Sequence, residues 1–207
     1  DIGVTTPAEK LSWSSDDLTI TGGKFVTPTQ KGVYTLKVTD GVTEKNIYII
    51  AKNASDSEYV LFETDFSDFS LDDLTMVTQD SGATIAIEDG VLKLNSTANG
   101  NYILVLFPDY IGDFGDYTIT SDVKYVNATS TSMWFSLIGR MQEDKESYAH
   151  FVLRNDITAS NGVELQEVGA SLHPTKKYKE AYGSEYRTLV FDMSGHTMTG
   201  YIDGNTA

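Results

Sequence analysis

The stretches Met133-Trp-Phe-Ser-Leu-Ile-Gly-Arg140 and Ser147-Tyr-Ala-His-Phe-Val-Leu-Arg154 alternate between two kinds of side chain. One kind is bulky and apolar, at Phe135, Leu137, Phe151 and Leu153. The residues between them are mainly aromatic, polar or cationic. Because successive side chains of a β-strand point to opposite faces, this period of two predicts two strands with one face on a core. Their closeness in sequence predicts a hairpin.

Similar short runs recur along most of the chain, separated by turn residues. They begin at Leu11-Ser-Trp13 and include Tyr59-Val-Leu-Phe-Glu63, and no helical pattern of any length interrupts them. Asp89-Gly90 and Asp203-Gly204 suit two-residue type I′ turns, which need positive φ. The sequence therefore predicts an all-β fold built from antiparallel strands, of the sandwich or jelly-roll kind.

A short polar segment divides the chain. Residues 53–58, Asn-Ala-Ser-Asp-Ser-Glu, are small, polar and without periodicity, as is typical of a linker between domains. We therefore predict one module over residues 1–52, a linker over 53–58, and a larger module over 59–207.

The first module resembles the back half of bacterial Ig-like domains. The resemblance lies in Trp13-Ser-Ser15, Gly22-Gly-Lys-Phe25 and Lys31-Gly-Val-Tyr-Thr-Leu36, followed by a final strand. It covers roughly residues 11–51, which is shorter than a full sandwich of about 100 residues. The resemblance implies a partial Ig-like β-sandwich that serves as a spacer.

The second module resembles concanavalin A-like domains, including their laminin-G-like and sugar-binding members. Three segments carry the resemblance in order: Phe62 to Phe66 with Glu88 to Leu94, the hairpin from Phe135 to Arg154, and Tyr186 to Gly204. It implies a concanavalin A-like antiparallel jelly roll over residues 59–207. Such a jelly roll continues past the last Asp-Gly, so we expect its closing strand or strands to lie in a longer multidomain protein.

Composition excludes several classes of partner and site. The chain carries 30 acidic against 15 basic residues, a formal net charge of −15. This charge repels phosphate backbones and anionic lipid, so we expect neither nucleic acid nor membrane insertion. There is no Cys, which excludes disulfides, thiolate metal sites and a Cys nucleophile.

The polar-aromatic face of the central hairpin has the groups that bind sugars. A sugar site needs a stacking aromatic ring and planar polar groups that bond vicinal hydroxyls. The candidate carbohydrate-binding residues are Trp134, Arg140, Tyr148, His150, Arg154, Glu164 and Gln166. The alternative is that Trp134 and Tyr148 pack under loops while the two Arg residues pair with acidic groups.

An acidic loop near the start of the second module is a candidate calcium site. The candidate ligands Glu63, Asp65 and Asp68 lie where related modules hold a structural Ca²⁺, and Asp72 and Asp73 follow them. The alternative is a solvated acidic loop, because no fixed ligand spacing is present.

The spacing of the carboxylates does not favour a glycoside hydrolase-type catalytic jelly roll. Laminarinase-type glucanases of this superfamily carry Glu-x-Asp-x-x-Glu on one strand. In Glu164-Leu-Gln-Glu167 the two Glu residues point to opposite strand faces, whereas retaining hydrolysis needs carboxyls about 5 Å apart on one side. We therefore predict no catalytic residues, although a site assembled from distant strands stays open.

Together these observations predict a non-catalytic carbohydrate-binding or accessory module of an extracellular bacterial multidomain protein, secreted or at the cell surface. Its expected partners are a glycan, either a polysaccharide or a host or plant oligosaccharide, and further domains of the same protein. The alternative is a structural or protein-binding, adhesin-like surface module.

Overall fold

The computed structural model of the protein describes residues 10–22, 24–78, 80–97, 102–108, 110–111, 114–128, 133–142, 144, 146–154, 162–168, 175–176 and 185–207. These residues form short antiparallel strands together with a 3-10 helix, Leu71–Asp73, so the predicted all-β class is confirmed. Among them, no helix is long and apolar enough to cross a membrane.

Contacts divide the chain into an N-terminal unit, Asp1–Ile111, and a C-terminal unit, Gly112–Ala207. The division lies well beyond the predicted linker at residues 53–58. Within the N-terminal unit, Tyr110 connects the two sides of that segment: its hydroxyl donates to the Leu61 carbonyl at 2.7 Å and its ring centroid is 5.9 Å from that of Tyr48. The boundary between the compact units therefore lies after Ile111, and the linker at residues 53–58 remains a prediction from the sequence.

The described part of the N-terminal unit contains small antiparallel sheets. Its strands are β1 (Ser12–Ser14), β2 (Ile20–Thr21), β3 (Lys24–Phe25), β4 (Gly32–Thr39), β5 (Glu44–Ala51), β6 (Thr75–Thr78), β7 (Thr84–Glu88), β8 (Val91–Asn95) and β9 (Ile103–Leu106). β1, β4 and β5 form one sheet, while β2 pairs with β3, β6 with β9 and β7 with β8.

Asp80 is a buried carboxylate at the base of the β7–β8 hairpin. It accepts hydrogen bonds from the backbone N–H groups of Gly82 at 2.9 Å and Thr97 at 2.6 Å, and from the Ser96 hydroxyl at 2.9 Å. Gly82 precedes β7 and Thr97 follows β8, so one carboxylate holds both ends of the hairpin. Desolvation opposes ionisation, but these donors outweigh it and hold the pKa of Asp80 far below its ordinary value.

We expect Asp80→Asn to lower the Tm of the N-terminal unit by about 5 °C or more at pH 7. An Asp whose pKa is lower in the folded state than its unfolded value near 3.9 adds stability above about pH 4. That contribution falls as the pH drops through the folded pKa, so the difference from wild type should shrink steadily below about pH 4.

Trp13 reports on this unit alone in a Trp134→Phe background, because the chain contains two Trp residues. Thermal unfolding followed by Trp13 fluorescence between pH 2 and pH 7 measures the effect. Asp68→Asn, which changes an exposed carboxylate of the same unit, is the matched control. An Asp80→Asn variant as stable as wild type at pH 7 would contradict the anchoring role.

The described strands of the C-terminal unit form two four-stranded antiparallel sheets, β10-β15-β16-β17 and β11-β12-β13-β14. They are β10 (Tyr117–Val123), β11 (Trp134–Gly139), β12 (Ala149–Arg154), β13 (Val163–Glu167), β14 (Thr175–Lys176), β15 (Arg187–Ser194), β16 (Thr197–Ile202) and β17 (Asn205–Thr206). β11 and β12 form the hairpin predicted from their alternation.

One hydrophobic core lies between these two sheets. From the β11–β14 sheet it contains Leu137, Phe151, Leu153 and Val163, and from the other sheet Leu189, Phe191, Met193 and Ile202. The apolar members of the predicted alternation therefore face inward, with Leu137, Phe151 and Leu153 buried and Phe135 packed against them. The intervening residues of β11, β12 and β13 are left on the opposite face of the sheet.

Two-residue turns complete the hairpins as predicted. Asp89 and Gly90, between β7 and β8, have φ of 54° and 70°. Asp203 and Gly204, between β16 and β17, have φ of 49° and 76°. Positive φ at both central residues is the condition for a type I′ turn, whose twist matches that of the flanking strands.

Candidate functional site

Strand register brings most of the predicted sugar-binding residues together. Across β11 and β12, Trp134 lies opposite Arg154 and Ile138 opposite His150, and across β12 and β13, His150 lies opposite Gln166. We call the surface away from the core the Trp134 face. Its residues are Trp134, Ser136, Ile138, His150, Val152, Arg154, Glu164 and Gln166.

Arg154 and Glu164 form an ion pair on this face. A guanidinium nitrogen of Arg154 lies 2.9 Å from a carboxylate oxygen of Glu164. The two side chains are 20% and 8% exposed, so the pair is largely shielded from water and from salt. For Arg154, this is the pairing with an acidic group that the alternative interpretation of the sequence predicted.

His150 lies next to the ion pair and is 6% exposed. Its Nε2 is 2.9 Å from the side-chain oxygen of Gln166, an arrangement in which the Nε2–H form of the ring donates. Its Nδ1 is buried, with no hydrogen-bond partner in the part of the chain that the structure describes. Trp134 and Tyr148 stand nearly edge-on to the imidazole, with ring centroids 6.0 Å and 5.4 Å away.

Trp134 is the accessible aromatic group of the face, at 44% exposed. Tyr148, just before β12, is half-buried beside His150. Val152, between His150 and Arg154 on the same strand, is 1% exposed. The centre of the Trp134 face, at Val152, is therefore shielded from solvent. Solvent reaches the face at the edge formed by Trp134 and Arg154, and we call this edge the rim.

Arg140 is not brought to this face, and the prediction that it shares the side of Trp134 is wrong. β11 ends at Gly139, and Arg140 has a φ of 54°, which turns the chain away from the strand direction. Its Nε donates to the Gly115 carbonyl at 2.7 Å, and its Nη2 lies 3.4 Å from Asp116. Arg140 thus fixes the segment that leads into β10.

Tyr125 is a positioning residue that the sequence did not single out. Its hydroxyl donates to the carbonyl of Leu153 at 2.7 Å, directly before Arg154. Burial raises the pKa of Tyr125 far above its ordinary value, so the phenol stays a neutral donor. Tyr125 follows β10, whereas its partner Leu153 lies on β12 of the other sheet, so no local sequence pattern connects the two.

Glu164 and Glu167 point to opposite faces of β13, as their spacing predicted. Glu164 is paired with Arg154, whereas Glu167 is exposed at the strand end, opposite Ala149. The separation of these two carboxylates across the sheet does not fit the one-sided geometry of retaining hydrolysis.

The structure does not bring the predicted calcium ligands Glu63, Asp65 and Asp68 together into one cluster. Among the described residues, no three His, Cys, Asp or Glu side chains converge in a way that could hold a metal. Asp65 instead accepts hydrogen bonds from the Ser67 backbone at 2.9 Å and the Ser67 hydroxyl at 2.7 Å, so the loop folds on itself. These hydrogen bonds lower the pKa of Asp65, and Glu63 and Asp68 remain exposed.

An open depression of about 570 Å³ lies in the N-terminal unit. Lys31 and residues 55–60 line it, and Lys31 forms an ion pair with Asp56 at 2.6 Å. Asp56 belongs to the predicted linker, and Tyr59 is the aromatic residue among those that line the depression.

Comparison of the chain with models of known protein families, with curated protein sequences and with solved structures gives no match.

Proposed function

We propose that this chain is a non-catalytic carbohydrate-binding module of a secreted or cell-surface protein, with an Ig-like spacer and a concanavalin A-like jelly roll. The observation that carries the proposal is the pairing of Trp134 with Arg154 across β11 and β12 at the open edge of the Trp134 face. An exposed indole beside a partly exposed guanidinium is a combination suited to stacking and hydrogen bonding of a sugar.

In this proposal the Trp134 ring packs against the C–H face of a pyranose. Arg154, held by Glu164, lies directly across the strand pair to meet sugar hydroxyls. His150 and Gln166, bonded to each other, support the ring of Trp134 from below instead of touching the sugar. The ligand then binds at the rim, since the centre of the face is closed.

We expect Trp134→Ala to weaken glycan binding by about tenfold or more, because a central aromatic anchor contributes at least 1.4 kcal/mol or so. Stability should change little, since the ring is 44% exposed. The measurement is a glycan array with the intact chain, followed by titration of the strongest hit, with circular dichroism to check folding.

Tyr186→Ala is the matched control, because it removes an aromatic ring of the same unit that is 53% exposed and stacks under Lys124. It should leave glycan binding unchanged. Equal losses in both variants would mean that binding does not depend on the Trp134 face, and the proposal would then be abandoned.

The second candidate function is a structural or protein-binding surface module. The near-complete burial of Glu164 and His150, at 6% exposure each, favours it, because these groups cannot reach a ligand in this conformation. A wild-type chain that folds and binds no glycan on the array would select this alternative.

A further inference from the structure

The only cation described on the Trp134 face is paired within the protein. Arg154 lies 2.9 Å from Glu164, and Glu164 is the more buried of the two, at 8% against 20% exposure of the side chain. The carboxylate is thus fixed beneath the guanidinium and its charge is weakly screened by solvent. Within the pair, the charge of the guanidinium is balanced by that of the carboxylate.

No additional cation is available among the other described side chains of this face. They are Ser136, Ile138, Val152, His150 and Gln166, of which His150 is 6% exposed and bonded to Gln166 through Nε2. At longer range the chain has a net charge of −15, which disfavours the approach of anions.

We infer that the sugar site proposed above takes uncharged pyranosides and rejects uronates, sialylated sugars and sulfated sugars; this rests on the proposed function. Hydroxyl groups can hydrogen-bond at the edge of the ion pair without displacing either partner. A sugar carboxylate or sulfate has to compete with Glu164 for Arg154, and separating these two largely buried charges is costly.

The test uses matched pairs of immobilised oligosaccharides: neutral glucans, mannans and galactans, each beside its C6-oxidised uronate form. The intact chain is titrated against each pair at 50 mM and 300 mM NaCl. We expect the neutral member to bind about tenfold or more tighter than its uronate, and its affinity to change less than about twofold with salt.

Equal or tighter binding of the uronates, weakened by salt, would overturn the inference and leave the proposed function standing. Binding of neither member would remove both the function and the inference.

Glu164→Gln tests the cause of the selectivity, because it keeps the shape of the side chain and removes its charge. In this variant the uronate should come within about threefold of the neutral sugar. An unchanged preference in folded Glu164→Gln would show that Glu164 is not its source. Glu167→Gln, an exposed neighbour on β13, is the control and should keep the wild-type preference. If Glu164→Gln does not fold, the wild-type comparison of matched sugars still decides the inference.

Discussion

Phe151→Ala is expected to destabilise the C-terminal unit by about 4 kcal/mol, because it deletes a large ring from a closed core. Phe151 is 0% exposed and its ring centroid lies 6.2 Å from that of Phe191 on the opposite sheet. Urea unfolding monitored by Trp134 fluorescence in a Trp13→Phe background gives the value. Phe25→Ala, which removes a ring 42% exposed in the N-terminal unit, should leave this transition unchanged.

The substitution Gly200→Ala tests the same core from the opposite sheet. A Cβ added at Gly200 would lie 2.7 Å from the Phe151 ring, so Gly200→Ala should destabilise by about 2 kcal/mol in the wild-type background. In the Phe151→Ala background the cavity accepts the methyl group, and the loss should fall to near zero. Additive effects, or a loss under about 1 kcal/mol for Phe151→Ala, would contradict a core shared by the two sheets.

The sequence predicts well those features of the fold that depend on residues adjacent in the chain, namely strand faces and tight turns. Alternation from Phe135 to Leu137 and from Phe151 to Leu153 assigns each residue to a face, because side-chain direction in a strand is local. The turns at Asp89-Gly90 and Asp203-Gly204 are also predicted locally, because the tolerance of positive φ depends on the residue type at each position.

The sequence did not predict which distant segments pair with each other as strands. Tyr59 to Glu63 has strand-like composition but forms no strand, and Phe62 instead packs its ring against Phe69 and Phe107. Conversely, Thr75–Thr78 forms β6 because β9 lies beside it, and its short run gave little signal on its own. Strand formation depends on a partner backbone, which composition does not reveal.

The candidate site shows the same limit. Register correctly placed Trp134, His150, Arg154, Glu164 and Gln166 on one face. Arg140 has the right parity but falls beyond the strand, where Gly115 and Asp116 hold it. The burial of Glu164 and His150 depends on the packing of the whole unit, which alternation along single strands does not reveal.

Glu164→Ala should destabilise the C-terminal unit by about 3 kcal/mol and lower its Tm by roughly 10 to 20 °C. The change removes a counter-charge 2.9 Å from a guanidinium that is only 20% exposed. Glu167→Ala on the same strand removes an exposed carboxylate and should change stability by less than about 0.5 kcal/mol. Thermal and urea unfolding followed by Trp134 fluorescence in a Trp13→Phe background compares the two variants. Similar curves for both would mean that the ion pair contributes nothing to the fold.

The double variant Arg154→Leu with Glu164→Leu separates stability from binding. Replacing both members of a buried ion pair by apolar groups is often neutral or stabilising, so the double variant should be at least as stable as Glu164→Ala and close to wild type. If Arg154 contacts the ligand, the folded double variant should nevertheless lose glycan binding by about tenfold or more. Retained binding in a stable double variant would limit the site to Trp134. A double variant as unstable as Glu164→Ala would mean that polar neighbours of the pair, and not its two charges alone, determine the packing of this face.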